Sequence, residues 1–104
     1  MIKYTTQIFR IRYTETDQMG FAHHSNYLNY FEMSRIEWLN SIGFSYAGLE
    51  RQGVVMPVVS AKINFKSPAY FDDPLRIRLT IEDIPRATIK IDYTIINEMD
   101  KEIA

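Results

Sequence analysis

The chain has 104 residues, 46% of them hydrophobic and 24% charged, with a formal net charge of −1 and no cysteine. That length favours a single domain, 1–104, and the near-neutral charge leaves no broad basic field to hold nucleic acid. Without cysteine there is no disulfide, thiolate zinc site or cysteine nucleophile; no apolar run reaches the roughly 18 residues of a membrane span, and MIKYTTQIFR lacks a signal peptide's apolar core, so a cytoplasmic soluble protein is expected.

The first expected element is a strand over Tyr4–Tyr13, in which Phe9, Ile11 and Tyr13 alternate with Ile8, Arg10 and Arg12. A loop with the sequence TETDQMGFAHHSNY comes next. A helix is expected from about Asn26 to Ile42, stopped by Gly43, with Ser25 and Asn26 as N-cap candidates. After a loop over Phe44–Gly53, VVMPVVSAKINFKSPA reads as a long strand. Val59, Ala61, Ile63 and Phe65 share one face of it, Ser60, Lys62, Asn64 and Lys66 the other, and Pro57 sits near its start. PLRIRLTIED places Leu75, Ile77, Leu79 and Ile81 inward, and TIKIDYTIIN does the same with Ile89, Ile91, Tyr93 and Ile95. Turns at FDDP and IPRA make these three an antiparallel meander. NEMD reads as a further turn and KEIA as the beginning of one more strand, so the fourth strand is expected beside a short partner.

One long helix followed by a meander gives an α+β domain with the helix on one sheet face. The apolar stripe of that helix is Tyr27, Leu28, Phe31, Trp38, Leu39 and Ile42, with Arg35 inside it and Glu32 at its edge. An unpaired buried guanidinium is costly. Arg35 either pairs with Glu32 three residues earlier, runs along the helix to water, or meets a ligand. Tyr30 and Met33 fall on the opposite face, and with 13% aromatic residues in a short chain they lean toward a second surface contact.

The quoted loop carries the candidate chemistry. Asp17 follows a strand and precedes a helix N-terminus, whose free N–H groups and partial positive charge suit a developing oxyanion. A carboxylate beside it can attack a polarised carbonyl or draw a proton from water. Gly20 permits a sharp turn or close approach of the backbone to a ligand. The same residues also make an ordinary loop, since Thr, Asp and Gly are common turn residues and the two histidines can simply be exposed. A metal site from Asp17, His23, His24 and Glu32 is a third reading, although no recognised ligand spacing occurs. A serine triad lacks its G-x-S-x-G elbow.

The run Arg10, Tyr13, Thr16, Asp17, Gly20, His24, Asn26, Tyr27, Leu28, Phe31, Glu32, Arg35, Glu37, Trp38 and Leu39, with NFKSPAYFDDPL further on, resembles the hotdog-fold acyl-CoA thioesterases. More narrowly it resembles the group containing 4-hydroxybenzoyl-CoA thioesterase and the short thioesterases of the Tol–Pal gene cluster. The resemblance implies a long helix wrapped by an antiparallel sheet, here without the family's final C-terminal strand, and pairing into homodimers or homotetramers. It implies Asp17 as nucleophile or general base, and His24 at the helix start, its backbone N–H polarising the thioester carbonyl. The family often has Tyr or Trp where this chain has His23, which leaves the acyl preference open. Substrate binding is expected from Gly20, from Val58, Val59 and Ser60 along the pantetheine arm, and from Lys62 and Lys66 toward the CoA phosphates, or as ordinary solvated lysines. The implied reaction is hydrolysis of acyl-CoA or acyl-carrier-protein thioesters with no metal or redox cofactor. A hotdog dehydratase and a non-catalytic acyl-thioester-binding protein remain as rivals.

Overall fold

The computed structural model describes residues 1–82 and 88–104; the turn expected at IPRA lies outside the described residues. In chain order the elements are β1 (Ile2–Thr5), β2 (Phe9–Arg10), a 3₁₀ turn (Tyr13–Glu15), a second 3₁₀ turn (His24–Asn26), α1 (Tyr27–Ser41), α2 (Tyr46–Arg51), β3 (Pro74–Ile81) and β4 (Asp92–Asn97). The strands form one sheet, all pairs antiparallel, in which β3 bonds to each of the others.

β3 forms as the alternation requires. Leu75, Ile77, Leu79 and Ile81 are each 2% exposed or less, while Arg76 and Arg78 between them are exposed. β4 pairs with it from Leu75↔Asn97 to Thr80↔Asp92. Along the other edge lie β1, with Ile2 opposite Ile81, and β2, with Phe9 opposite Leu75. The expected single strand over Tyr4–Tyr13 is therefore broken. Thr6 is the reason: its N–H donates to the Ile77 carbonyl at 2.9 Å, and its hydroxyl accepts the Ile77 N–H at 3.0 Å. A side chain has taken a ladder position, and the chain leaves strand geometry until Phe9.

The expected meander is half right. β3 and β4 pair, but the stretch from Val54 to Ala69 is not a strand and does not pair with β3. The N-terminal segment occupies that corner instead: Ile11 N–H donates to the Asp73 carbonyl at 3.3 Å, and Asp72 N–H donates to the Ile11 carbonyl at 2.8 Å. Asp72 turns the corner with φ +67°. At the end of the 54–69 stretch, Lys66 and Ser67 N–H groups both donate to the Ile103 carbonyl. Residues 102–104 also bond to β4, where Ile95 N–H donates to Ala104 and Ile103 N–H to Ile95. The short strand read from KEIA thus begins here, with a bridge between Ile96 and Glu102.

α1 starts and stops close to the expected bounds. Gly43 (φ +90°) donates to the Asn40 carbonyl and Phe44 to the Leu39 carbonyl, the paired bonds of a Schellman stop. The same device closes α2 at Gly53 (φ +85°), with bonds to Glu50 and Leu49. α2 itself occupies the region expected as loop. Its start is marked by Ser45, whose side chain accepts the Gly48 N–H.

The buried face of α1 is Tyr27, Tyr30, Phe31, Ser34, Trp38 and Leu39. Leu28 and Ile42, expected inside, are half exposed, and Tyr30, expected outside, is buried. Tyr30 is covered by Phe9 of β2 at 5.2 Å between ring centroids, a long-range contact that rotates the buried arc of the helix toward β2. Burial, followed by the charge of the Glu15 carboxylate, pushes the Tyr30 phenol well above its ordinary pKa. Glu37 accepts from the Tyr4 hydroxyl at 2.8 Å and the Gln7 N–H at 3.0 Å, fastening α1 to the β1–β2 connection.

Arg35 does not pair with Glu32, which is exposed. Its Nη1 donates to the Tyr93 hydroxyl at 3.2 Å, and its Nε is buried without a partner. Tyr93 stacks on Phe31 at 4.6 Å. Burial raises the Tyr93 phenol pKa, with the Arg35 charge opposing. Removing a hydrogen bond to a charged group costs about 1.5–3 kcal/mol, whereas exposed surface changes stay within about 0.5 kcal/mol. Tyr93→Phe is therefore expected to lower the urea midpoint clearly, and Glu32→Ala hardly at all. The opposite order of midpoints would return the guanidinium to Glu32.

Candidate active site

The loop from Thr14 to Tyr27 is a small hairpin joined to a helix start. Thr16 and Ala22 form an antiparallel bridge. Between them, Gly20 N–H donates to the Asp17 carbonyl and Asp17 N–H to the Phe21 carbonyl, both at 3.1 Å. Gly20 has φ +86°, and a Cβ there would meet nothing within 4 Å. The glycine is thus required by its backbone angle and not by crowding. Asp17 Oδ1 accepts the Met19 N–H at 2.8 Å, an Asx turn that fixes the carboxylate against its own loop. Asp17 is half-buried and Oδ2 takes no hydrogen bond among the described residues.

The hairpin is locked to the sheet corner and to the helix start. Ala22 N–H donates to the Ala69 carbonyl, and His23 N–H to the Glu15 carbonyl at 2.8 Å. Glu15 is held in turn, its Oε1 accepting the Arg12 N–H at 2.8 Å. The expected caps act differently from the expectation. The His23 ring, and neither Ser25 nor Asn26, caps the first turn: Nδ1 accepts the Ser25 N–H at 3.2 Å and lies 2.8 Å from the Ser25 hydroxyl. Asn26 makes no cap bond to α1; its Nδ2 donates to the carbonyls of Glu15 at 3.0 Å and His23 at 3.3 Å. The His24 N–H meets no acceptor among the described residues.

The sequence-predicted residues are brought together only in part. Asp17 and Gly20 share one hydrogen-bonded hairpin, and His24 directly follows His23, whose N–H is bonded to that hairpin. His24 is exposed, its ring tilted against that of His23 at 4.1 Å between centroids and edge-on to Phe65 at 6.2 Å. Phe65 also packs on Tyr27 at 5.1 Å and is the residue of the 54–69 stretch that meets the helix start. Val58, Val59, Ser60 and Lys62 are exposed, and no hydrogen bond among the described residues joins them to Asp17 or His24. Lys66 forms an ion pair with Glu102. Sequence reasoning misses Glu15 and the bridging role of Asn26. The signal for Glu15 is its spacing from Arg12, an i,i+3 pair at 3.7 Å in a capping arrangement. Among the described residues no group of three or more His, Asp or Glu side chains is gathered as a metal site would need, and no helix is long and apolar enough to cross a membrane.

Residues 19–104 match the model of the thioesterase superfamily. A Bacillus subtilis protein, provisionally named the acyl-CoA thioesterase YneP, is 40% identical over 73 residues, which is 70% of this chain and 53% of that protein. The acyl-CoA thioesterase YbgC of Haemophilus influenzae is 32% identical over 81 residues, 77% of this chain and 60% of that protein. The chain thus spans little more than half the length of these two relatives. The crystal structure of a DHNA-CoA thioesterase from Staphylococcus aureus superposes with a TM-score of 0.91 at 33% identity, covering 99% of this chain and 68% of that one. A long helix laid on an antiparallel sheet, a structural match over nearly every residue and a family match over 19–104 agree: the chain belongs to the thioesterase superfamily and has its hotdog fold.

Proposed function

We propose that this protein hydrolyses acyl-CoA thioesters to the free acid and CoA, with Asp17 as the catalytic carboxylate and the helix start at His24 as the oxyanion site. The observation that carries the reading is a carboxylate with one oxygen free of hydrogen bonds among the described residues, in a hairpin whose His23 bond adjoins an unclaimed backbone N–H at the helix start. A thioester carbonyl accepting from the His24 N–H becomes more electrophilic. Asp17 Oδ2 then attacks the carbonyl carbon and the thiolate leaves, giving a mixed anhydride that water cleaves to the free acid and the carboxylate; or Oδ2 takes a proton from the water that attacks, and the thiolate leaves with the free acid formed directly. Donors already fixed in place need no reorganisation as charge develops on the oxygen. The names of the relatives support the acyl-CoA class.

The site is completed, in this reading, by a second copy of the chain. From Val55 to Phe65 no backbone hydrogen bond is made among the described residues, and Val55 and Val59 are 72% and 81% exposed. A backbone stretch with its N–H and carbonyl groups unspent is a ready template for pairing. A two-fold mate would cover it by pairing the same stretch of both copies, carrying Val58, Val59 and Ser60 of the partner subunit toward the Asp17 loop as a wall for the pantetheine arm. Lys62 makes no ion pair among the described residues and is the candidate for a CoA phosphate, while Lys66 is already engaged by Glu102. The chemistry needs no metal or redox cofactor, and we place the protein in the cytoplasm, where acyl-CoA is found.

Asp17→Asn keeps the shape of the side chain but cannot attack or take a proton, and the loss of such a group costs on the order of 10²–10⁴ in rate. The expected result is a folded protein with kcat lowered by that factor in a thiol-release assay on an acyl-CoA panel; wild-type turnover would remove Asp17 from the chemistry. Wild-type protein dialysed against EDTA is expected to keep its rate, and recovery of a lost rate by zinc or manganese alone would overturn the metal-free mechanism. Sedimentation equilibrium is expected to show a dimer or larger assembly whose dilution lowers specific activity. A fully active monomer would exclude the shared site.

A further inference from the structure

We infer that Asn26 is a positioning residue, whose one amide group ties the Asp17 hairpin to the start of α1 and so sets the distance between the carboxylate and the His24 N–H. The inference deepens the proposed function and rests on it for its kinetic consequence. Its structural part stands alone.

The Asn26 Nδ2 donates to two main-chain carbonyls, Glu15 at 3.0 Å and His23 at 3.3 Å. Both partners are acceptors, so the amide can only present its nitrogen here. One of these carbonyls lies two residues before Asp17 and the other immediately before His24, so a single NH₂ group spans both arms of the site. The anchor is also rigid. Glu15 O accepts the His23 N–H at 2.8 Å, and Glu15 is bonded to Arg12 both by its own N–H, donated to the Arg12 carbonyl at 2.9 Å, and by its carboxylate. Finally, local structure does not call for asparagine. Asn26 has φ −81°, ψ −14°, an ordinary helical conformation, and makes no cap bond. Asparagine is a poorer helix former than alanine, so its place here is explained by what its side chain holds.

Without the bridge, the hairpin stays closed by the Thr16–Ala22 bridge and remains joined to the helix start by the His23 N–H bond. They lose the contact that fixes their relative rotation. Misplacement of reacting groups by about 1 Å can cost about 10²-fold in rate. The effect belongs in kcat, since both carbonyls accept from the Asn26 amide and neither is assigned to substrate.

The test compares wild type with Asn26→Asp, which has the same shape but no donor, with Asn26→Ala, and with Asn29→Ala as an exposed control on the same helix. Thiol release from acyl-CoA gives kcat and KM separately, and hydrogen exchange reads the His23 amide. Both Asn26 variants are expected to stay folded, to lose 10- to 100-fold in kcat with KM within threefold, and to exchange the His23 amide at least tenfold faster. Asn29→Ala should match wild type in all three. Unchanged kcat and unchanged exchange would overturn the inference, as would a loss confined to KM. Unfolding of both Asn26 variants would also overturn it, in favour of a purely structural role. If wild type releases no thiol from any acyl-CoA, the proposed function fails, and the exchange rate of His23 alone decides whether Asn26 couples the two arms.

Discussion

The structure depends on β3 being held along both edges at once. Ile77 shows this best. Its N–H and carbonyl are both taken by Thr6 on one side, and it stands opposite Ile95 of β4 on the other. Its side chain, with those of Leu75, Leu79 and Ile81, forms the floor on which α1 lies. Burial of four such aliphatic side chains contributes about 1.5–3 kcal/mol each relative to exposure. The same strand locates the candidate site. The corner before β3 is fixed by Ile11 and Asp73, and Ala69 nearby accepts the Ala22 N–H of the hairpin. Rotation of α1 on this floor would therefore move the helix start against a loop that is tied to the floor by other bonds.

Elements whose burial is decided by their own alternation are legible in the sequence. The inward face of β3 is readable to the residue, and α1 with its Gly43 stop nearly so, because each signal is local. The breaks come where a distant group competes for the backbone. Nothing in the spacing of Tyr4–Tyr13 reveals that Thr6 will use its hydroxyl as a ladder partner. The 54–69 stretch alternates as a strand should, yet the edge of β3 that the FDDP turn would have offered it is filled by Ile11 and the strands around it. Alternation shows that a segment can be a strand, not that an edge is free to receive it.

The same distinction separates the legible from the hidden at the site. Residue types draw attention to Asp17, Gly20 and His24, since carboxylate, positive-φ glycine and helix start are each readable alone. The frame that holds them is invisible in the sequence, because it runs through the main-chain carbonyl of Glu15, which every residue possesses. The helical pattern misplaces Tyr30 and, while setting Arg35 on the right face, gives it the wrong partner, for a related reason. A helical wheel assigns faces by angle, but Phe9 covers one flank of α1 and Tyr93 supplies the hydroxyl on the other, and both come from strands far off in the chain.

The Asx turn at Asp17 makes its carboxylate one-sided. Oδ1 is committed to the Met19 N–H, so the group presents a single oxygen to whatever enters the loop. A forked guanidinium or a chelated cation uses both oxygens together, and one of the two here already shares its lone pairs with the turn that holds the residue in place. An encounter through one atom, with an electrophilic carbon or a single proton, leaves the turn intact. The turn therefore leaves the two oxygens inequivalent, one tied to the backbone of its own loop and the other without a hydrogen bond among the described residues.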